Sequence, residues 1–275
     1  MEGQPRVLQR SPPRYEFPRL ALVWFVVDLL LGRRRSFARD GQRAMAANPY
    51  PRRVEGLEFA PATGSFVLVM NHYNREGLRP YHCALAVSAA LPARRPGQPE
   101  VRWAFTSELW GRRIGPVPIP LPLMRWVFRR FALVYSLVVL PRRKELVMGR
   151  AGALHHLLRQ LGEAPVGLTP EAAGSGRLIE PPRGTGLFLA ALGRTAIPFL
   201  PVGIWEEDDT LVIRFGSPFY LTLPDGLTRD EEDRLAAEQV MVGIGRLLPV
   251  EYHGAYAGAV ELAASAPPEP APGAT

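Results

Sequence analysis

Two short stretches hold residue types that do chemistry. The first is Asn71-His72, which ends the apolar run 65–71 (SFVLVMN) and leads into Asn74-Arg75-Glu76-Gly77. An imidazole titrates near neutral pH, so His72 can act as a general base. A histidine that simply caps a loop is the plain alternative. The second stretch is Leu168-Thr169-Pro170-Glu171-Ala172-Ala173-Gly174-Ser175-Gly176-Arg177, a carboxylate in a glycine-rich turn followed by an arginine. Backbone N–H groups of such a turn can receive an anion. The turn lacks the Walker lysine pattern, so a nucleotide P-loop is excluded. No G-x-S-x-G elbow is present, which argues against an α/β-hydrolase. Gly184-Thr185-Gly186 follows no strand and is set aside as a dinucleotide fingerprint. His155-His156 has no partner at metal-ligand spacing, and no metal is expected.

These residues need elements to position them. Apolar runs predict strands at 65–71, 101–105, 136–140, 165–169, 197–204 and 211–215, the last two separated by the acidic turn 206–209. Helical patterns cover 78–91, 124–133, 144–161, 184–192 and 229–247. Pro116, Pro118, Pro120 and Pro122 alternate and force an extended segment. Strands alternating with helices predict a mostly parallel sheet wrapped by helices. A strand that runs out into His72 would place the imidazole at the carboxyl edge of that sheet, where α/β proteins hold their sites.

Composition narrows the class of partner. The chain has 275 residues, 47% hydrophobic and 21% charged, enough apolar content for a full core. Its single cysteine, Cys83, can form no internal disulfide, so a reducing compartment is expected. Met1–Arg19 shows no apolar segment behind a basic one, and so no cleaved signal. Residues 1–150 carry 25 Lys and Arg against 10 Asp and Glu, whereas residues 151–275 carry 8 against 16. A basic, apolar first half suits an anionic membrane surface. No zinc-finger, basic-zipper or RNA-binding motif appears, and nucleic acid is not expected. Residues 20–31 (LALVWFVVDLLL) are nearly all apolar, contain Asp28, and precede Arg33-Arg34-Arg35. The run is shorter than the roughly 20 residues of a span. A helix lying in one leaflet fits it, with 124–133 as a second candidate face. A core helix is the alternative for both.

Taken in order, these pieces resemble the glycerophospholipid acyltransferase family, which includes the 1-acylglycerol-3-phosphate acyltransferases. Four family blocks can be laid on residues from about 54 to 220. The histidine block, Asn-His-x4-Asp, falls on 67–77 with His72 as its histidine. The strand ending in arginine falls on Val138-Val139-Leu140-Pro141-Arg142-Arg143. The Phe-Pro-Glu-Gly-Thr-Arg block falls on Thr169-Pro170-Glu171-Ala172-Ala173-Gly174. The hydrophobic-Pro-hydrophobic strand falls on Ile197-Pro198-Phe199-Leu200-Pro201-Val202. Three positions depart from the pattern: Gly77 stands for the aspartate, Ala172 for the glycine, and Gly174 for the phosphate-binding arginine.

The resemblance implies an α/β acyltransferase fold with an N-terminal membrane-associated helical element. Residues 1–18 would be a disordered N-terminus, 19–48 the helical element, 49–250 the acyltransferase-like domain, and 251–275 a segment ending in a disordered tail from Ala263. The implied reaction moves a fatty acyl group from acyl-CoA or acyl-carrier protein to the hydroxyl of a lysophospholipid-type acceptor, with no other cofactor. His72 would be the general base. Glu76 would replace the missing aspartate, its extra methylene offsetting the shorter spacing; Glu171 is a second carboxylate available for that task. Asn71, Arg142, Arg143, Glu171, Gly174 and Arg177 would bind substrate, with Lys144, Arg183, Arg79 and His82 nearby. Membrane lipids with an anionic surface would be partners, and the location peripheral or monotopic on the cytoplasmic face. The alternative is a degenerate member that binds lipid or acyl thioester without turnover. A third reading, an adaptor using only its arginines, needs no pocket. Oligomeric state is not implied.

Overall fold

The computed structural model describes residues 14–48, 50–106, 113–114, 117–118, 120–140, 150–174 and 176–265. Two helices come first, α1 (Arg19–Leu31) and α2 (Phe37–Ala46), then strand β1 (Arg52–Glu55). Next come β2 (Val67–Met70), α3 (Pro80–Ala90) and β3 (Arg102–Thr106). A small ribbon of β4 (Arg113–Ile114) and β5 (Val117–Pro118) lies in the proline-rich stretch, whereas Pro122, expected to be extended, stands in the first turn of a helix, where its missing N–H costs nothing. The chain continues through α4 (Leu121–Tyr135), β6 (Val138–Leu140), α5 (Arg150–Leu161), β7 (Val166–Leu168) and α6 (Thr185–Gly193). It ends with β8 (Phe199–Glu207), β9 (Thr210–Phe215), α7 (Arg229–Gly245) and α8 (Ala257–Ser265).

Seven strands form one sheet in the order β1-β9-β8-β2-β7-β3-β6. Every neighbouring pair is parallel except the β8–β9 hairpin. Alternation along the strands feeds two cores. Leu68 and Met70 of β2, with Leu200, Val202 and Ile204 of β8, face α2 and α3, against Phe37, Met45 and Leu85. Val67 and Val69, with Phe199 and Trp205, face α5, α6 and α7, against Leu157, Leu189 and Val240. Both faces of the central strands are covered, so they read as continuous apolar runs. β1, with the sequence RRVE, is mostly exposed; it has no apolar pattern that could reveal it.

Two predicted boundaries change. The segment read as a disordered N-terminus packs from residue 14 onward: Tyr15 is 5% exposed and Phe17 is partly buried, their rings against His82. Aromatic contact is what orders it. The tail expected from Ala263 is helical to Ser265, because α8 buries Val260 in the second core. Within residues 19–48, α2 contributes Phe37, Ala44 and Met45 to the first core.

α1 is apolar around its circumference. Its outer face exposes Leu20, Val23, Trp24, Leu30 and Leu31, and its inner face meets α4, with Phe25 against Phe131 and Tyr135. Asp28 has a structural role. Arg35 donates to Asp28 Oδ2 at 2.6 Å and to both carboxylate oxygens of Asp40, tying α1 to α2. Among the described residues no helix is long and apolar enough to cross a membrane.

Candidate active site

The strand register decides which distant residues meet. β2 and β7 are parallel neighbours, with Val69 paired to Leu168. Three residues beyond that pair on each strand come His72 and Glu171, side by side at the carboxyl edge. The His72 backbone N–H donates to Glu171 Oε2 at 2.6 Å, and the Ile179 N–H donates to Oε1 at 3.0 Å. The turn that aims Glu171 closes with the Ala172 N–H on Thr169 O, and Ala172 adopts a left-handed φ of 56°. Glu171 is buried, and that burial pushes its carboxyl up to about 7, opposed by the two N–H donors. Burial also lowers the His72 pKa, opposed by its own backbone carbonyl. A lowered pKa favours the neutral imidazole, the form a base requires.

Asn71 is spent on the scaffold. Its Nδ2 donates to Ile204 O at 2.7 Å and its Oδ1 accepts from Ile204 N at 2.8 Å. The side chain extends the β2–β8 ladder past the end of β2 and so fixes the point where His72 leaves the sheet. The side chain expected to bind substrate is thus engaged with Ile204.

The loop after His72 is a tight turn. Arg75 and Leu78 exchange backbone hydrogen bonds across Glu76-Gly77, and Gly77 has φ 80°, which a β-branched or acidic residue adopts only at a cost. Glu76 thus sits at the tip of the turn. Its side chain is 77% exposed and pairs with Arg14, while His72 Nδ1 is buried with no hydrogen-bond partner among the described residues. Glu76 does not orient the imidazole in this geometry, because the turn carries its carboxylate away.

Gly174 is required by close packing against His72. A Cβ at this position would touch the His72 carbonyl oxygen and lie 2.5 Å from His72 Nδ1. Only glycine allows the turn to close over the imidazole, so the arginine of the family pattern has no room here. Arg177 is exposed on the same turn. Arg183 pairs with Asp230 at 2.8 Å on the surface. Arg142, Arg143 and Lys144 lie outside the described residues; β6, which leads to them, ends at the same sheet edge.

One network escaped the sequence reading. Arg75 forms an ion pair with Glu206 of β8, Tyr73 Oη donates to the same carboxylate at 3.2 Å, and Tyr252 Oη donates to Glu206 O at 3.1 Å. Glu206 stood in an acidic run read as a turn, and nothing in that run marks one acid as buried. His82 is also internal: its Nδ1 accepts from Arg79 N at 2.9 Å, and burial followed by Arg79 and Arg75 lowers its pKa to about 4. Among the described residues no cluster of three or more His, Cys, Asp or Glu could hold a metal.

No family model matches the chain, and no curated protein matches it. Among solved structures it is similar to the crystal structure of the 1-acyl-sn-glycerophosphate (LPA) acyltransferase PlsC from Thermotoga maritima, at 18% identity and a TM-score of 0.47, over 85% of this chain and 80% of that one.

Proposed function

We propose that this chain transfers a fatty acyl group from an acyl thioester to the hydroxyl of a lysophospholipid-type acceptor at an anionic membrane surface, with His72 as general base. The observation that carries the reading is the hydrogen bond from His72 N–H to Glu171, which joins two sequence blocks 99 residues apart at one sheet edge. In the reaction, neutral His72 takes the acceptor proton as its oxygen attacks the thioester carbon. The tetrahedral intermediate collapses, and the thiolate leaves with the proton returned by the imidazolium. A cavity of about 550 Å³ between α1, α2, α3 and α4, lined by Leu22, Phe25, Phe37, Leu85 and Phe131, offers apolar room for the acyl chain. The exposed apolar face of α1 would lie in the lipid surface.

A second reading is favoured by the unpartnered Nδ1 and by Gly77: a protein that binds acyl thioester or lipid without turnover. Thioester consumption with and without lysophosphatidate separates the two. Acceptor-dependent consumption that falls about 10²–10⁴-fold in His72→Ala supports transfer. Equal rates in both proteins would reject His72 as the base. Binding of the thioester with no consumption by the wild type would favour the second reading.

A further inference from the structure

Among the described residues no group bonds the buried Nδ1 of the His72 imidazole, and one side chain nearby could orient it. The nearby charged groups are committed: Glu171 accepts the His72 and Ile179 backbone N–H groups, Glu76 pairs with Arg14, and Arg75 pairs with Glu206. The space left by the missing Cβ of Gly174 lies 2.5 Å from His72 Nδ1 and 2.7 Å from Asn74 Cβ. Glycine at 174 therefore lets Asn74 and the imidazole share one small volume. Asn74 Oδ1 accepts a long hydrogen bond from Arg79 Nη1, 3.3 Å. An amide oxygen has two lone pairs, so it can accept Nδ1–H while keeping Arg79. Arg79 is exposed, has no carboxylate partner among the described residues, and stands at the N-cap of α3, where the helix dipole adds positive potential.

We propose that Asn74 is the positioning residue for His72, in place of an orienting carboxylate, and that Arg79 couples this positioning to capture of a phosphate monoester on the acceptor. The proposal rests on the reading of His72 as general base. Asn74 would fix the Nδ1–H tautomer and leave Nε2 free to take the proton. A neutral amide stabilises imidazolium less than a carboxylate does, so the wild-type base is a weak one. An anion held by Arg79 would bring negative charge to the Asn74 side of the ring.

The test is ¹⁵N NMR of the ring nitrogens in the full chain, with the His72 signals assigned from His72→Ala. The wild type should show the Nδ1–H tautomer, and Asn74→Ala a mixture. Asn74→Asp, nearly the same shape, should raise the His72 pKa by at least about one unit. Inorganic phosphate should raise that pKa in the wild type and leave it unmoved in Arg79→Ala. In thioester consumption, the ascending limb of the pH–rate profile should move to higher pH in Asn74→Asp, in step with the measured pKa. A merely structural Asn74 would leave the tautomer and pKa of His72 unchanged in both variants, and that result overturns the proposal. A phosphate response that survives in Arg79→Ala overturns the coupling. If the NMR changes appear but no protein consumes thioester, the positioning stands and acyl transfer falls. If His72-dependent turnover appears with no NMR change, the reverse holds.

Discussion

Glu171 is the residue whose environment has the clearest thermodynamic consequence. Its folded-state pKa of about 7 lies above that of an exposed carboxylate, so the folded protein holds the proton more tightly than the unfolded chain. Stability contributed by this group is full below pH 4.5 and is lost as pH rises through about 7, a loss of about 3 kcal/mol. Glu171→Gln removes the titration and keeps the shape. The stability difference between wild type and variant, read from urea unfolding, should fall by about that amount from pH 4.5 to 8. Other groups, including buried His82 whose depressed pKa acts in the opposite sense, cancel in the difference. A flat difference would show that Glu171 does not titrate in this range. The residue types at 72 and 171 are legible in the sequence because a histidine and an acid at strand ends are few. The engagement of Glu76 with Arg14 is not, because it depends on which way a four-residue turn points.

At the scale of elements, two contacts decide how the helices serve the site. The first is the cap of α6 by its neighbour: Asp233 of α7 accepts from Gly184 N at 2.6 Å and Leu187 N at 3.1 Å. Asp233→Ala removes both acceptors from a helix start and should cost about 1–2 kcal/mol by denaturant unfolding. An unchanged midpoint would mean that water replaces them. The second is the outer face of α1. Deleting residues 1–48 would also strip Phe37 and Met45 from the core, so a loss of membrane binding in such a truncation would carry no meaning. Substituting the exposed side chains alone is the sound test. Val23, Trp24 and Leu30 all project outward. Changing them to Ser should weaken sedimentation with phosphatidylglycerol vesicles about ten-fold or more, because each buried apolar side chain contributes about 1.5–3 kcal/mol. Undiminished binding would exclude α1 as the lipid-facing surface.

For the molecule as a whole, the site loop is held from three directions. Arg75 pairs with Glu206 on β8, Tyr73 bonds the same acid, and Tyr252 reaches the Glu206 carbonyl from the C-terminal segment. The N-terminal strap adds the Tyr15 N–H on Gly77 O, and Asn48 exchanges hydrogen bonds with Glu16. Glu206→Gln removes the carboxylate that Arg75 and Tyr73 share. It should destabilise the protein by about 3 kcal/mol and speed amide hydrogen exchange across residues 72–79. Exchange unchanged in that loop would mean that the strap alone holds it.

The sequence by itself determined the alternation of strands and helices, the helical start near residue 19, and the strand ends that carry His72 and Glu171, because periodicity and apolar runs are local properties. It could not show β1, whose RRVE pattern is polar and which is held by its pairing to β9. It could not show the burial of Tyr15, which depends on His82 and Tyr50 arriving beside it. Only the tertiary structure decided that Val69 pairs with Leu168, so that His72 meets Glu171. Only it decided that Gly174 closes over the imidazole beside Asn74, in the place where a longer side chain would keep them apart. Register and close approach are set by packing between segments about a hundred residues apart, and no local pattern encodes that distance.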